Sequence, residues 1–146
     1  MKDELLSLFE TDLAKLRREV EAFSDETVFW STSGDIRNSP GNLTLHLLGN
    51  LNHYIGAKLG NTGYVRDRPL EFSSDPIPRG ELLERIDRTA AVVTDTIKAL
   101  TDDHLRAPYA VDSGEDARAV ATELVRILTH LNYHLGQINY HRRLSQ

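Results

Sequence analysis

Four segments of the chain repeat apolar and polar residues with the period of an α-helix. Apolar side chains recur three or four residues apart in each segment, which places them along one side of a helix. Ser39 followed by Pro40 suits a helix start, and Gly60-Asn61 suits a helix end. We predict helices at Asp3–Phe23, Pro40–Leu59, Pro78–Leu100 and Ala117–Leu144.

The connections between these helices are long and rich in turn-forming residues. The stretch from Asn61 to Gly80 alone contains three prolines, and we expect ordered loops here with at most a short pair of strands. A chain of 146 residues suits one domain. Four helices of similar length without a sheet are typical of a bundle. We therefore expect an all-α, single-domain four-helix bundle over residues 1–146, with long connections.

The predicted helices differ in what their faces carry. The second helix has leucine and isoleucine on one side (Leu48, Leu51, Ile55 and Leu59), while small and polar residues line the other side. That polar side suits a cavity or the site of a partner helix, and the apolar side suits either the core or an interface. The first helix should bury an apolar stripe made of Leu5, Leu8, Phe9, Leu13, Leu16 and Val20. The polar side of the second helix consists of Asn42, His46, Gly49, Asn50, His53 and Ala57.

Three of the six histidines occur within the stretch HLNYHLGQINYH of the last helix. His130 and His134 lie one turn apart, and His141 lies about 20° from His134 around the helix. All three rings fall on the apolar stripe. An i,i+4 pair of histidines directs two ring nitrogens towards one point, as in helical metal sites. Histidines on an apolar face are equally compatible with hydrogen-bonded core residues.

Composition narrows the classes of function. The formal net charge of −5 disfavours a general nucleic-acid-binding surface. The chain has no cysteine, which excludes disulfides, a catalytic protein thiolate and cysteine-type zinc sites. Its first residues carry acids from the third position and no long apolar run. We therefore expect neither a signal peptide nor a membrane span, and a cytoplasmic location.

Three motifs carry a family resemblance over nearly the whole chain. They are HLLGN at 46–50, RDRPLEF at 66–72 and HLNYHLGQ at 130–137. In this order they resemble the DinB-like superfamily of metal-binding four-helix bundles, in particular a branch of small bacterial members with an RDR-x-x-EF loop. The resemblance implies a divalent metal ion held by His46, His130 and His134. Zinc and nickel both suit imidazole ligands.

The resemblance also implies two kinds of enzyme. Relatives include transferases and isomerases that use a low-molecular-weight thiol, and metal-dependent hydrolases. Three imidazoles leave coordination positions open, as in catalytic zinc sites. Either a water or a small thiol would become a better nucleophile there. The alternative is a non-catalytic, dimeric protein of the stress response that binds metal or a small ligand.

Other polar residues are candidates for supporting roles. Gln137 is placed to hydrogen-bond a ligand or simply to line a polar pocket. His53 is a candidate acid or base, or a core histidine. Glu123 is a candidate general base, or a carboxylate that complements the positive end of its helix. Asn50 is a candidate for orienting an imidazole.

The RDRPLEF loop leaves a further choice open. Its acids, Asp67 and Glu71, either approach the metal or pair with Arg66 and Arg68 to order the loop. A third hypothesis is that the histidines are polar core residues without a role in metal binding, and that the protein functions by associating with other proteins or with copies of itself. For this chain we expect a homodimer and a small-molecule ligand or substrate.

Overall fold

Helices form the secondary structure of this protein. The computed structural model describes residues 1–110 and 117–145, and no strand forms within these ranges. One isolated antiparallel bridge joins Pro108 to Ala119. Among the described helices, none is long and apolar enough to cross a membrane. The elements are α1 (Lys2–Ala22), α2 (Glu26–Phe29), α3 (Pro40–Leu51), a π-helix (Asn52–Ala57), α4 (Lys58–Gly60), α5 (Arg68–Ser73), α6 (Arg79–Ala99), α7 (Asp102–Arg106) and α8 (Val120–Leu144).

The four predicted helices correspond to α1, to the run from α3 to α4, to α6 and to α8. Ser39 caps α3 as predicted, because its hydroxyl accepts a hydrogen bond from the backbone N–H of Asn42 at 3.1 Å. Asn61 ends α4 in the left-handed conformation, with φ of 50°. The last helix begins at Val120 rather than at Ala117. The residues before it pair with the segment after α7, where the Val120 N–H donates to the Ala107 carbonyl at 2.9 Å.

Short helices occupy connections that the sequence predicted as loops. Each of α2, α5 and α7 begins with a side chain that accepts a hydrogen bond from the first turn. Asp25 caps α2, Asp67 caps α5, and Thr101 forms a reciprocal capping box with His104 at the start of α7. Local caps in otherwise turn-rich stretches therefore explain these helices.

A π-helix interrupts the predicted second helix. At its start the side-chain amide of Asn52 donates to the Leu48 carbonyl at 2.9 Å and to the Thr89 hydroxyl of α6 at 2.8 Å. Further along, the backbone at Gly56 approaches α6 so closely that a Cβ there would lie 2.9 Å from a methyl group of Val92. The wider turn thus forms where the chain packs closely on α6.

The long helices contact one another in a cyclic order. α1 packs against α6 and α8, while α3 and the π-helix pack against α6, and α3 also packs against α8 and α5. The apolar stripe of α1 is buried as predicted, except that Leu8 is 50% exposed. Leu8 lies about 100° around the helix from the centre of that stripe. On α3 and the π-helix, Leu48, Leu51 and Ile55 are buried in the core.

Polar pairs fix α8 against α1. Asn132 donates to the buried carboxylate of Asp12 at 2.6 Å, and Asn139 donates to Glu19 at 2.7 Å. Arg142 adds an ion pair with Glu19 at 2.7 Å. Two acids seven residues apart on α1 therefore meet two asparagines seven residues apart on α8. These pairs set the register of the helix that carries His130 and His134.

Candidate metal centre

Three imidazoles from two helices meet inside the molecule. His46 lies on α3, and His130 and His134 lie one turn apart on α8. One ring nitrogen of each histidine lies within 4.8 Å of the other two. The structure thus brings together the three histidines that the family resemblance implied. His46 is buried, and the two α8 rings are half-buried.

The geometry of the rings suits a shared ion. The Nε2 atoms of His46 and His130 lie 3.1 Å apart. Two nitrogen ligands of one tetrahedral zinc ion would lie about 3.3 Å apart, given metal–nitrogen distances of about 2.0–2.1 Å. The ring planes cross at 73° to 90°, and the ring centres are separated by 4.6 to 5.2 Å. No two of the three rings stack, and the convergence lies in one nitrogen of each ring.

His46 is held by a buried carboxylate. Its Nδ1 donates to Oε2 of Glu71 at 2.8 Å, and Glu71 is only 6% exposed. A proton on Nδ1 leaves Nε2 unprotonated, which is the state that binds a metal ion. The ring of Phe72 covers His46, with ring centres 5.0 Å apart. Glu71 therefore orients a histidine of the cluster instead of acting only on the loop.

The loop residues divide between two roles. Arg66 donates to both oxygens of Glu71, at 2.6 and 2.9 Å. Arg68 lies over the ring of Phe72 at 5.5 Å. Asp67 accepts a hydrogen bond from the backbone N–H of Leu70 at 3.1 Å and so starts α5. Of the two loop acids, only Glu71 contacts a histidine of the cluster.

The α8 side of the cluster has fewer restraints. Nδ1 of His134 donates to Oε1 of Gln137 at 2.6 Å, and Gln137 is exposed. Nδ1 of His130 is buried and has no hydrogen-bond partner among the described residues. The ring of Tyr133 lies edge-on to His134, with ring centres 5.1 Å apart. Gln137 is thus the candidate supporting residue that contacts the cluster directly.

Burial keeps two of the rings neutral. It lowers the pKa of His130 to about 4, and the neighbouring imidazoles of His134 and His46 act in the same direction. Burial also lowers the pKa of His46, although Glu71 opposes the shift. Neutral imidazoles are the form that ligates a metal ion, so protons compete weakly for these two nitrogens near neutral pH.

Two candidate residues lie outside the converging group. His53 is in the π-helix, where its ring packs edge-on against Tyr54 at 4.7 Å. Glu123 lies in the first turn of α8 and pairs with Arg118 at 3.1 Å and with Arg126 at 3.6 Å. These contacts favour structural roles for both residues over acid–base roles at the cluster.

A cavity of about 420 Å³ adjoins the cluster. Its wall on α8 includes His134 and Gln137, together with His141 one turn further on, and the opposite wall is the connection after α2, residues 35–38. His141 is 9% exposed, and burial lowers the pKa of its imidazole. The cavity is large enough for a small molecule beside His134.

Comparison with known protein families identifies a match over nearly the whole chain. The family model described as "Protein of unknown function (DUF1572)" matches residues 3–146. No curated protein matches the chain. The matched residues include the four long helical segments, apart from Lys2 at the start of α1, and the three histidines of the cluster.

Proposed function

The chain belongs to the DUF1572 family, and from that premise we propose that it binds one divalent metal ion through His46, His130 and His134. The observation that carries this proposal is the approach of three ring nitrogens to within 4.8 Å of one another. Two of these nitrogens already have the separation of ligands on one ion. Burial of His46 and His130 favours the neutral, ligating form.

We assign the chain to the DinB-like superfamily, as a single-domain four-helix bundle. The match over residues 3–146 and the cyclic packing of α1, α6, α3 and α8 support this assignment. The motifs HLLGN and HLNYHLGQ contribute all three histidines of the cluster. In bundles, metal sites are commonly built from side chains on facing helices.

The donor set fits zinc or nickel. The sequence has no cysteine, and all three converging groups are imidazoles. Three protein ligands leave an open position, as in catalytic sites. A divalent ion held here would supply Lewis acidity that favours the anionic form of a water or a small thiol. The chain's own part is to hold His46 through Glu71 and to hold His134 through Gln137.

An enzyme is the function that this arrangement supports best, either a metal-dependent hydrolase or a transferase that uses a small thiol. The cavity beside His134 gives room for a substrate. Since the chain has no cysteine, a thiol nucleophile would have to come from a small molecule. Thermal shift with glutathione, followed by an assay for its consumption in the presence of a small electrophile that carries a leaving group, separates this proposal from the binding protein described next. Binding with turnover supports the transferase.

A non-catalytic homodimer is the second candidate. On the outer face of α8, opposite its buried stripe, four large apolar side chains are between 47% and 68% exposed. These are Val125, Tyr133, Tyr140 and Leu144. An exposed apolar stripe of this kind suits association with a second copy. Light scattering should give the mass of a dimer, and a monomer mass at micromolar concentration would refute the association.

Metal analysis tests the central proposal. The wild-type protein, purified without a histidine tag, should contain about one divalent ion per chain. His134→Ala should remove most of this metal because it deletes one of three ligands. His104→Ala is the matched control, since His104 is an exposed histidine in α7 and its loss should leave the metal content unchanged. Unchanged metal in His134→Ala would refute the assignment.

A further inference from the structure

Glu71 lies between the histidine cluster and the loop that precedes α5. Its carboxylate, 6% exposed, accepts from Nδ1 of His46 at Oε2 and from Arg66 at both oxygens, and Nη2 of Arg66 lies 3.3 Å from the same Nδ1. We infer that Glu71 is a positioning residue: it fixes the proton of His46 on Nδ1 and so presents Nε2 to the metal ion. This inference rests on the proposed metal-binding function.

His46 needs such a partner because an imidazole has two neutral tautomers. With its proton on Nε2, His46 would donate to Nε2 of His130, only 3.1 Å away, and the cluster would close on itself. With its proton on Nδ1, the Nε2 lone pair stays available to a metal ion. A carboxylate at Nδ1 selects this second tautomer and orients the ring.

One face of α3 is built around Glu71. Asn42, His46 and Gly49 recur at the i, i+4 and i+7 positions of the helix. Asn42 donates to the backbone carbonyl of Glu71 at 3.2 Å, and His46 donates to its carboxylate at 2.8 Å. At Gly49 a Cβ would lie 1.9 Å from Oε1 of Glu71. The small and polar side of α3 thus receives a carboxylate from outside the helix.

Arg66 holds the carboxylate in one orientation. Its side chain is 10% exposed and donates to Oε1 through Nε at 2.6 Å and to Oε2 through Nη2 at 2.9 Å. A planar guanidinium that contacts both oxygens restricts rotation of the carboxylate. The Oε2 atom is therefore held towards His46.

A purely structural Glu71 would order the loop without affecting the imidazole, so the test reads the imidazole itself. In metal-free wild-type protein, nitrogen-15 spectra of the histidine rings should show His46 protonated on Nδ1. Glu71→Gln removes the negative charge and leaves a single acceptor oxygen for the three N–H groups of His46 and Arg66 that contact the carboxylate. The spectrum should then show loss of the Nδ1-protonated form.

Metal affinity gives the second readout. Zinc affinity, measured by competition with a chromophoric chelator, should fall about 10–100-fold in Glu71→Gln, the usual effect of removing a ligand's hydrogen-bond partner. Glu123→Gln is the matched control, because Glu123 is also a largely buried carboxylate paired with arginine, and it lies outside the cluster. Glu71→Asp keeps the charge with a shorter reach and should retain more affinity than Glu71→Gln.

Gly49→Ala tests the same contact from the other side. The added methyl group occupies the place of Oε1, so the carboxylate must move although Glu71 is still present. Zinc affinity should fall as in Glu71→Gln. Gly80→Ala is the matched control, since a Cβ at Gly80 would meet no atom within 4 Å. Circular dichroism of each variant verifies that the helices remain, and Gly49→Ala carries the test if Glu71→Gln does not fold.

The outcomes separate this inference from the proposed function. Weaker zinc binding in Glu71→Gln and Gly49→Ala, normal binding in both controls and an altered His46 tautomer support the positioning role. Normal zinc binding with His46 still protonated on Nδ1 in Glu71→Gln overturns the role and leaves the metal site standing. A wild-type protein that binds no metal overturns the proposed function, and the spectra then show whether Glu71 sets the tautomer of a metal-free histidine.

Discussion

The two sides of the histidine cluster are organised in different ways. On the α3 side, His46 is 7% exposed and donates to Glu71, which Arg66 holds in turn. On the α8 side, His134 donates to the exposed Gln137, and Nδ1 of His130 has no partner among the described residues. A chain of buried tertiary contacts thus positions one ring, whereas helical spacing positions the other two.

This difference indicates how the cluster is assembled. A single helix brings His130 and His134 together, so their separation follows from local structure. His46 must be delivered by the packing of α3 on α8, and its ring orientation depends on a residue from a third element, α5. His46 on the α3 side should therefore couple metal binding to stability near neutral pH, while the half-buried His134 on the α8 side should affect metal binding alone.

Removing a histidine ring from either side of the cluster should have the largest effect on zinc affinity. His46→Ala and His134→Ala should both lower zinc affinity by more than the roughly 100-fold upper range for an outer hydrogen-bond partner. In metal-free protein only His46→Ala should also lower the free energy of unfolding, by about 1–3 kcal/mol, because it removes a donor from the buried carboxylate of Glu71. Urea unfolding in the presence of a chelator measures this difference. Equal stability losses in the two variants would show that the sides do not differ.

The pH dependence of the free energy of unfolding should also distinguish the two sides of the cluster. Burial lowers the pKa of His130 to about 4 and lowers the pKa of His46 and His141. In the unfolded chain these groups titrate near about 6.5, so between pH 6.5 and 4 the unfolded state binds more protons than the native state. The free energy of unfolding of metal-free protein should therefore fall as the pH drops through this window, and the histidine contribution to this fall should be nearly complete at about pH 4.

Variants assign this acid sensitivity to one side. His130 should contribute most of the loss, roughly 2–3 kcal/mol between the ends of the window, because Glu71 raises its pKa less than burial and the two neighbouring imidazoles lower it. The loss between pH 7.5 and 4 should shrink more in His130→Gln than in His46→Gln, where Glu71 opposes the shift. Urea unfolding of each variant at both pH values tests this. An unchanged loss in His130→Gln would contradict the assignment.

Sequence patterns predicted the parts of this molecule that depend on local structure. Apolar periodicity gave the long helices, Ser39 and Asn61 marked real ends of the second helical segment, and the spacing of His130 and His134 indicated two rings on one side. The choice of His46 came from a family resemblance, since spacing alone did not distinguish it from His53.

The remaining features depend on contacts between residues far apart in the chain. Glu71 reaches His46 from 25 residues away, and the sequence left open whether it pairs with arginine or approaches the metal site. The structure shows that one carboxylate contacts both Arg66 and a histidine of the cluster. The helical period places Glu123 on the same side of α8 as the histidines. Its carboxylate nevertheless accepts a hydrogen bond from Arg118, which precedes the helix. Gly49, a small residue one turn after His46, is the sequence feature that marks the place on α3 where Glu71 packs.

The smallest effect concerns Gln137, the counterpart of Glu71 on the α8 side. Gln137→Ala removes the acceptor for Nδ1 of His134, but the side chain is exposed, and water can accept the same hydrogen bond. Zinc affinity should therefore fall by less than about tenfold, below the range expected for Glu71→Gln. Gln137→Glu should restore or raise the affinity, because a carboxylate is a stronger acceptor for the Nδ1 proton. Chelator competition on all three variants ranks the two partners. A larger loss in Gln137→Ala than in Glu71→Gln would reverse the comparison and make α8 the side that controls the metal ion.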